Sequence, residues 1–117
     1  MANHILSNVQ IRHITKSDLP LLEWDGEFIH FRRVYANAFK RAQQGHSLLW
    51  AAAMPGSKTI IGQIFIQISC NRPELADGVK RAYFYSFRVR PSYRSLGVGK
   101  KLLWTAETEL HRRGFEF

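Results

Sequence analysis

At 117 residues, with 45% apolar and 13% aromatic side chains, the chain has the make-up of one small globular domain, which excludes an intrinsically disordered segment. Its single cysteine, Cys70, excludes an intramolecular disulfide and points to a reducing, cytoplasmic setting. A net charge of +8 invites either a nucleic acid or a polyanionic small molecule, while no apolar run reaches the roughly 20 residues of a membrane-spanning helix and the first residues lack the regions of a signal peptide.

Val9, Ile11 and Ile14 mark a first strand, with Gln10 and Arg12 on its other face. Thr15 or Ser17 reads as the N-cap of a short helix through Asp18, Leu19, Leu21 and Leu22, with Pro20 in its first turn. Glu23-Trp24-Asp25-Gly26 is an acid-rich break. From there Phe28, Phe31, Val34, Tyr35, Ala38, Phe39 and Ala42 repeat at three and four, which predicts an amphipathic helix ending near Gly45. Ser47 to Met54 is the second expected strand, closed by Pro55-Gly56. Thr59 to Cys70 is the third, with Ile60, Ile64, Ile66 and Ile68 on one face and Gln63 and Gln67 interrupting the other. Turn signals at Asn71-Arg72-Pro73 and Asp77-Gly78 precede a fourth strand, Lys80 to Val89, so strands two to four form an antiparallel meander. A helical stripe follows (Val98, Leu102, Leu103, Ala106, Leu110), with Arg112 and Arg113 in its last turn and Gly114 beyond. Phe115-Glu116-Phe117 begins to alternate like a strand. No repeat or linker interrupts this β-α-α-β-β-β-α-β order, which predicts an α+β fold in a single domain, 1–117.

The stretch between the fourth strand and the last helix carries the chemistry. The apolar run stops at Pro91, glycines stand at 97 and 99, and lysines at 100 and 101 open the helix. Such a turn aims consecutive backbone N–H groups at one spot, where the helix dipole adds partial positive charge: an anion cradle. Arg88, Arg90, Arg94, Lys100 and Lys101 crowd around it, which favours a small polyanion over nucleic acid, whereas Arg32, Arg33, Lys40 and Arg41 read as a solvated helix face. A P-loop would need glycine where Arg94 stands and Ser or Thr where Lys101 stands. A dinucleotide fingerprint would need a third glycine in place of Leu102 and a βαβ unit in place of the meander.

Arg94-Ser95-Leu96-Gly97-Val98-Gly99 does match Arg/Gln-x-x-Gly-x-Gly/Ala. With Phe84, Phe87 and Val89 leading into Pro91 and Tyr93-Arg94, and with Lys100, Leu102 and Leu103 after it, the chain resembles the GNAT superfamily of acetyl-CoA-dependent N-acetyltransferases. The resemblance implies a mixed, mostly antiparallel sheet flanked by helices. It implies acetyl-CoA as co-substrate, its pyrophosphate on backbone N–H groups across Arg94, Ser95, Leu96, Gly97, Val98, Gly99 and Lys100. The pantetheine arm would add like a strand to the open edge of strand four at Phe87, Arg88 and Val89, whose backbone N–H could polarise the thioester carbonyl. A primary amine of a small molecule or protein would attack directly. For the side chains of Arg88, Arg90 and Lys101, surface charge and contact with the 3′-phosphate stay equally open.

An amine acceptor of pKa about 10.4 must lose a proton near neutral pH. Where many family members carry Glu or His, this chain has Tyr83 and Tyr85, which are expected to line the site, with core or rim packing favoured over a role in ordering water. Ser86 is expected on the opposite face. The family's usual acid, a tyrosine on a later helix, has no counterpart, so truncation after the start of the fifth strand is expected; a missing part supplied by another chain, as in a homodimer, and binding without catalysis are the alternatives. Glu23, Asp25, Glu27 and His30 would face a cationic acceptor or simply favour a helix N-terminus. His4, His13, His46 and His111 lack ligand spacing, so no metal is expected, and Cys70 reads as a small buried hydrophobe. Two competing readings are a degenerate acyl-CoA-binding member and an RNA-binding module built on the basic-aromatic run Lys80-Arg81-Ala82-Tyr83-Phe84-Tyr85-Ser86-Phe87, which lacks the glycine that the RRM motif requires.

Overall fold

A computed structural model describes residues 8–23, 28–54, 56, 59–69, 76 and 82–115. Four strands, β1 (Gln10–His13), β2 (Ser47–Ala53), β3 (Ile60–Gln67) and β4 (Tyr83–Val89), form one antiparallel sheet in chain order. A 3₁₀ helix (Lys16–Leu22) and α1 (Phe28–Gln43) cover one face; α2 (Val98–Arg112) covers the other. The expectations placed on His4, on residues 24–27, on the side chains of Phe28 and His30, and on Pro55, Cys70, the turns 71–73 and 77–78, Lys80-Arg81 and 116–117 lie outside the described residues.

The middle strands are buried on both faces and therefore read as nearly continuous apolar runs. Leu49, Ala51 and Ala53 of β2 pack with Phe65, Tyr35 and Ala38 toward α1. Trp50 and Ala52 pack with Ile64, Ile66, Leu102, Ala106 and Leu110 toward α2. Three alanines in β2 leave room for a helix on each side.

Two bulges revise the expected faces. Ala53 pairs with Ile60 while Ala52 pairs with Gly62, so Ile61 is the extra residue. Ile60 accordingly joins the α1 face, away from Ile64, Ile66 and Ile68. Phe65 pairs with Ser86 while Ile66 pairs with Phe84, so Tyr85 is extra in β4. That inserted residue places Ser86 on the same face as Tyr83 and Tyr85, not the opposite one. Ile14, just past β1, also joins the α1 cluster, whereas Val9 and Ile11 face α2.

An ion pair ties β1 to the 3₁₀ helix that follows it. Thr15 caps the 3₁₀ helix; its N–H and Oγ1 donate to Asp18 Oδ2 at 2.7 and 2.9 Å, and Arg12 adds bonds of 2.6 and 2.9 Å to both carboxylate oxygens. These donors hold Asp18 down at a pKa of about 2. In α1, Tyr35 and Ala38 are buried as the periodicity predicts, but Val34 is 49% exposed. Arg41 donates to Ser69 O at 2.9 Å, so it fastens α1 to the end of β3 and is no mere solvated charge.

Candidate functional site

β4 is the edge strand among the described residues, bordered by β3 on one side only. Arg90 N–H donates to Ile61 O at 2.8 Å. Because backbone direction alternates along a strand, the polar groups of Arg88 then face β3 and those of Phe87 and Val89 face the outer edge. Arg94 confirms the outward direction of Val89, donating from Nε to its carbonyl at 3.0 Å. Arg88 therefore leaves the set of outer-edge backbone groups expected from the sequence.

After β4 the chain turns through a short 3₁₀ helix, Pro91–Tyr93, and enters α2. Two residues in between are left-handed: Ser95 at φ 66° and Gly97 at φ 89°. Gly97 is the N-cap of α2, a place where a side chain would cost roughly 1–2 kcal/mol. Gly99 is not left-handed; it lies inside the helix, and a Cβ there would sit 3.6–3.7 Å from the Phe87 ring and Val89 Cγ2. That is ordinary contact distance, so a Cβ would fit, and the glycine leaves the helix surface bare over the strand edge. Lys101 N–H is the first to bond within the helix, to Gly97 O at 3.1 Å. The N–H groups of Val98, Gly99 and Lys100 have no intrahelical carbonyl to meet.

These elements border an open cleft of about 380 Å³ lined by Val89, Tyr93, Arg94, Ser95, Gly97, Gly99 and Lys100. Leu96 is half-buried beside it, and the Val98 side chain is buried beneath it in the core. Of the five cations near it in sequence, Arg94 and Lys100 line it. Lys101 turns under α2 and donates to Val9 O at 2.7 Å. Arg90 reaches Ile60 O at 3.0 Å. Arg88 crosses to the α1 face, where it donates to Tyr35 Oη at 2.6 Å and lies 5.7 Å from the Phe31 ring.

The α1 face of β4 is aromatic. Tyr83, Tyr85, Phe65 and Tyr35 follow one another with ring centroids 5.7–6.1 Å apart. Burial pushes the Tyr85 hydroxyl pKa up; the oxygen lies near Ser47 without a hydrogen bond of ordinary geometry. Glu23, expected to greet a cationic acceptor, is buried and gripped by Arg32 at 3.0 and 3.4 Å. Gln63, which in the sequence only interrupts an apolar run, is fully buried and donates to Ser86 Oγ at 2.9 Å. Its one signal in the sequence is an amide at the centre of a strand built mostly of isoleucine.

The Acetyltransferase (GNAT) family matches residues 9–117. The chain belongs to this family. Acetyl-CoA as co-substrate fits a GNAT protein, and the sheet flanked by helices is the GNAT-like fold anticipated from the sequence. No curated protein matches the chain. Solved structures do. The PaiA N-acetyltransferase of Thermoplasma acidophilum, in complex with coenzyme A, is 23% identical with a TM-score of 0.66, over 91% of this chain and 74% of that one. AAC(6')-Iy, in complex with a coenzyme A bisubstrate analogue, is 22% identical with a TM-score of 0.69, over 92% and 75%. An acetyltransferase of Trypanosoma brucei is 18% identical with a TM-score of 0.67, over 93% and 82%. At these identities the likeness extends to the GNAT fold and no further. Among the described residues no helix is long and apolar enough to cross a membrane.

Proposed function

We propose that this chain binds acetyl-CoA along the outer edge of β4 and moves its acetyl group directly to a primary amine. The observation that carries the reading is the turn into α2. Left-handed Ser95 and Gly97 lead into a helix start whose first N–H groups meet no intrahelical carbonyl, beside an open strand edge and two cations.

The residues present fit the co-substrate. A pyrophosphate carries charge that the helix N-terminus, Arg94 and Lys100 can meet, and Gly97 and Gly99 allow it to approach the backbone. Ser95, Leu96 and Val98 shape the same turn. Phe87 and Val89 offer outward backbone groups to the amide-bearing pantetheine arm, in the manner of an added strand. Acetyl-CoA supplies an activated acyl thioester. The chain's part is to hold it in place and to aim an edge N–H at its carbonyl oxygen, where charge grows as the amine attacks. Tyr83 and Tyr85 wall the acceptor side; with its pKa raised, Tyr85 is unsuited to act as base at neutral pH.

Acetyl-CoA at millimolar concentration should raise the melting temperature, and Gly97→Asp or Gly99→Asp, by placing a carboxylate where the pyrophosphate sits, should abolish the rise. An equal rise in both variants would refute the placement. The absence of Glu or His at positions 83 and 85 of β4 favours a second reading, acyl-CoA binding without transfer. Binding with no thiol release across a panel of amines would select it.

A further inference from the structure

Ser86 is held by a side chain with no evident packing reason to be polar. Gln63 is fully buried at the centre of β3, its Nε2 donates to Ser86 Oγ at 2.9 Å, and its Oε1 has no partner among the described residues. A half-satisfied buried amide is unfavourable, and an apolar side chain of similar size would fill the place without that cost. What the amide provides is a fixed orientation of Ser86. The bulge at Tyr85 brings Ser86, a half-buried residue, onto the aromatic, acceptor-side face of β4. Tyr85 Oη, its neighbour on that face, is buried. The Arg88 guanidinium is engaged with Tyr35 and Phe31.

Resting on the N-acetyltransferase reading above, we propose that Ser86 relays the acceptor amine's proton to solvent and that Gln63 is its positioning residue. A hydroxyl has one proton to give and two lone pairs. With Gln63 Nε2 on one lone pair, the other can accept a proton from the ammonium while Ser86's own proton passes to a water. Serine ends neutral, one proton is released to solvent, and the nitrogen keeps the electron pair that forms the new C–N bond. The hydroxyl passes the proton on without storing it, so its own high pKa is no obstacle.

The test follows thiol release from acetyl-CoA with a polyamine, an amino acid, an amino sugar and a peptide N-terminus between pH 6 and 9, with the acetyl-CoA melting shift measured in parallel. Ser86→Ala should lower kcat about 10- to 100-fold and move the acid limb of the pH profile to higher pH, leaving KM for acetyl-CoA and the melting shift unchanged. Ser86→Thr should stay within about threefold of the parent, and Gln63→Leu should move the pH profile in the same direction. A Ser86→Ala enzyme with the parent's kcat and pH profile overturns the proposal; if that variant does not fold, an unmoved profile in Gln63→Leu overturns it. Acetyl-CoA binding with no transfer to any of the amines overturns this proposal and the enzymatic reading but leaves the binding site standing. No binding at all overturns all three.

Discussion

Arg94 and Lys100 line the cleft, while Arg88, Arg90 and Lys101 reach protein acceptors elsewhere. Charge near the turn in sequence is thus a poor guide to charge at the turn in space. Arg94→Ala and Lys100→Ala should each weaken acetyl-CoA binding roughly tenfold, about 1.4 kcal/mol, in a calorimetric titration. Arg90→Met and Lys101→Met should leave Kd within about twofold and lower the melting temperature instead. Asp18 gives a prediction of a different kind. Asp18 is buried, and its carboxylate is held down to about 2 from an ordinary 3.8 by Arg12, with Thr15 adding two bonds. A folded-state pKa below the unfolded one stabilises the fold above pH 4 or so, and that stabilisation fades as pH falls toward 2. Arg12 is 38% exposed, so the contribution is on the order of 1–2 kcal/mol after solvent screening. The urea midpoint should fall between pH 5 and 2.5, and Asp18→Asn should flatten that fall while lowering the midpoint at pH 7.

At the scale of elements, the helix entry is set by close packing as much as by the turn. A Cβ on Gly62 would lie 3.1 Å from Leu102 Cδ1, 3.2 Å from Arg88 O and 3.4 Å from Val98 Cγ1. The Arg88 carbonyl is backbone and cannot swing aside, so Gly62→Ala should push α2 off β3. The expected cost is about 1–3 kcal/mol in urea unfolding, with weaker acetyl-CoA binding because the helix start moves with it. What could be read from the sequence follows the same division between local and distant causes. The turn from Arg94 to Gly99 was legible because its glycine spacing, its arginine and the proline before it act within a few residues. The antiparallel meander was legible from turn signals and alternation. The faces of Ile60 and Ser86 were not, because each bulge depends on register with a neighbouring strand and leaves no local mark. Alternation alone put both side chains on the wrong side of the sheet. The destinations of Arg88 and Lys101 were hidden for a related reason: their acceptors, Tyr35 and Val9, lie 53 and 92 residues away in the chain.

Over the whole molecule, the sheet divides two environments that share the edge of β4. On the α2 side lie the turn, its N–H groups and the two cleft cations; on the α1 side lie the tyrosines, Ser86 and Gln63. A co-substrate laid along that edge would present its acyl group where the two environments meet. That gives a physical reason for one strand to carry both the binding and the acceptor-side residues. The +8 net charge also suits an anionic co-substrate, by raising its concentration near the surface in a salt-dependent way. The most direct test is a crystal structure of the chain with coenzyme A. The pyrophosphate should lie within hydrogen-bond distance of backbone N–H groups between Ser95 and Lys100, with the pantetheine arm bonded to the outward groups of Phe87 and Val89. Coenzyme A seated anywhere else, or the edge of β4 left bare at saturating coenzyme A, would contradict the account.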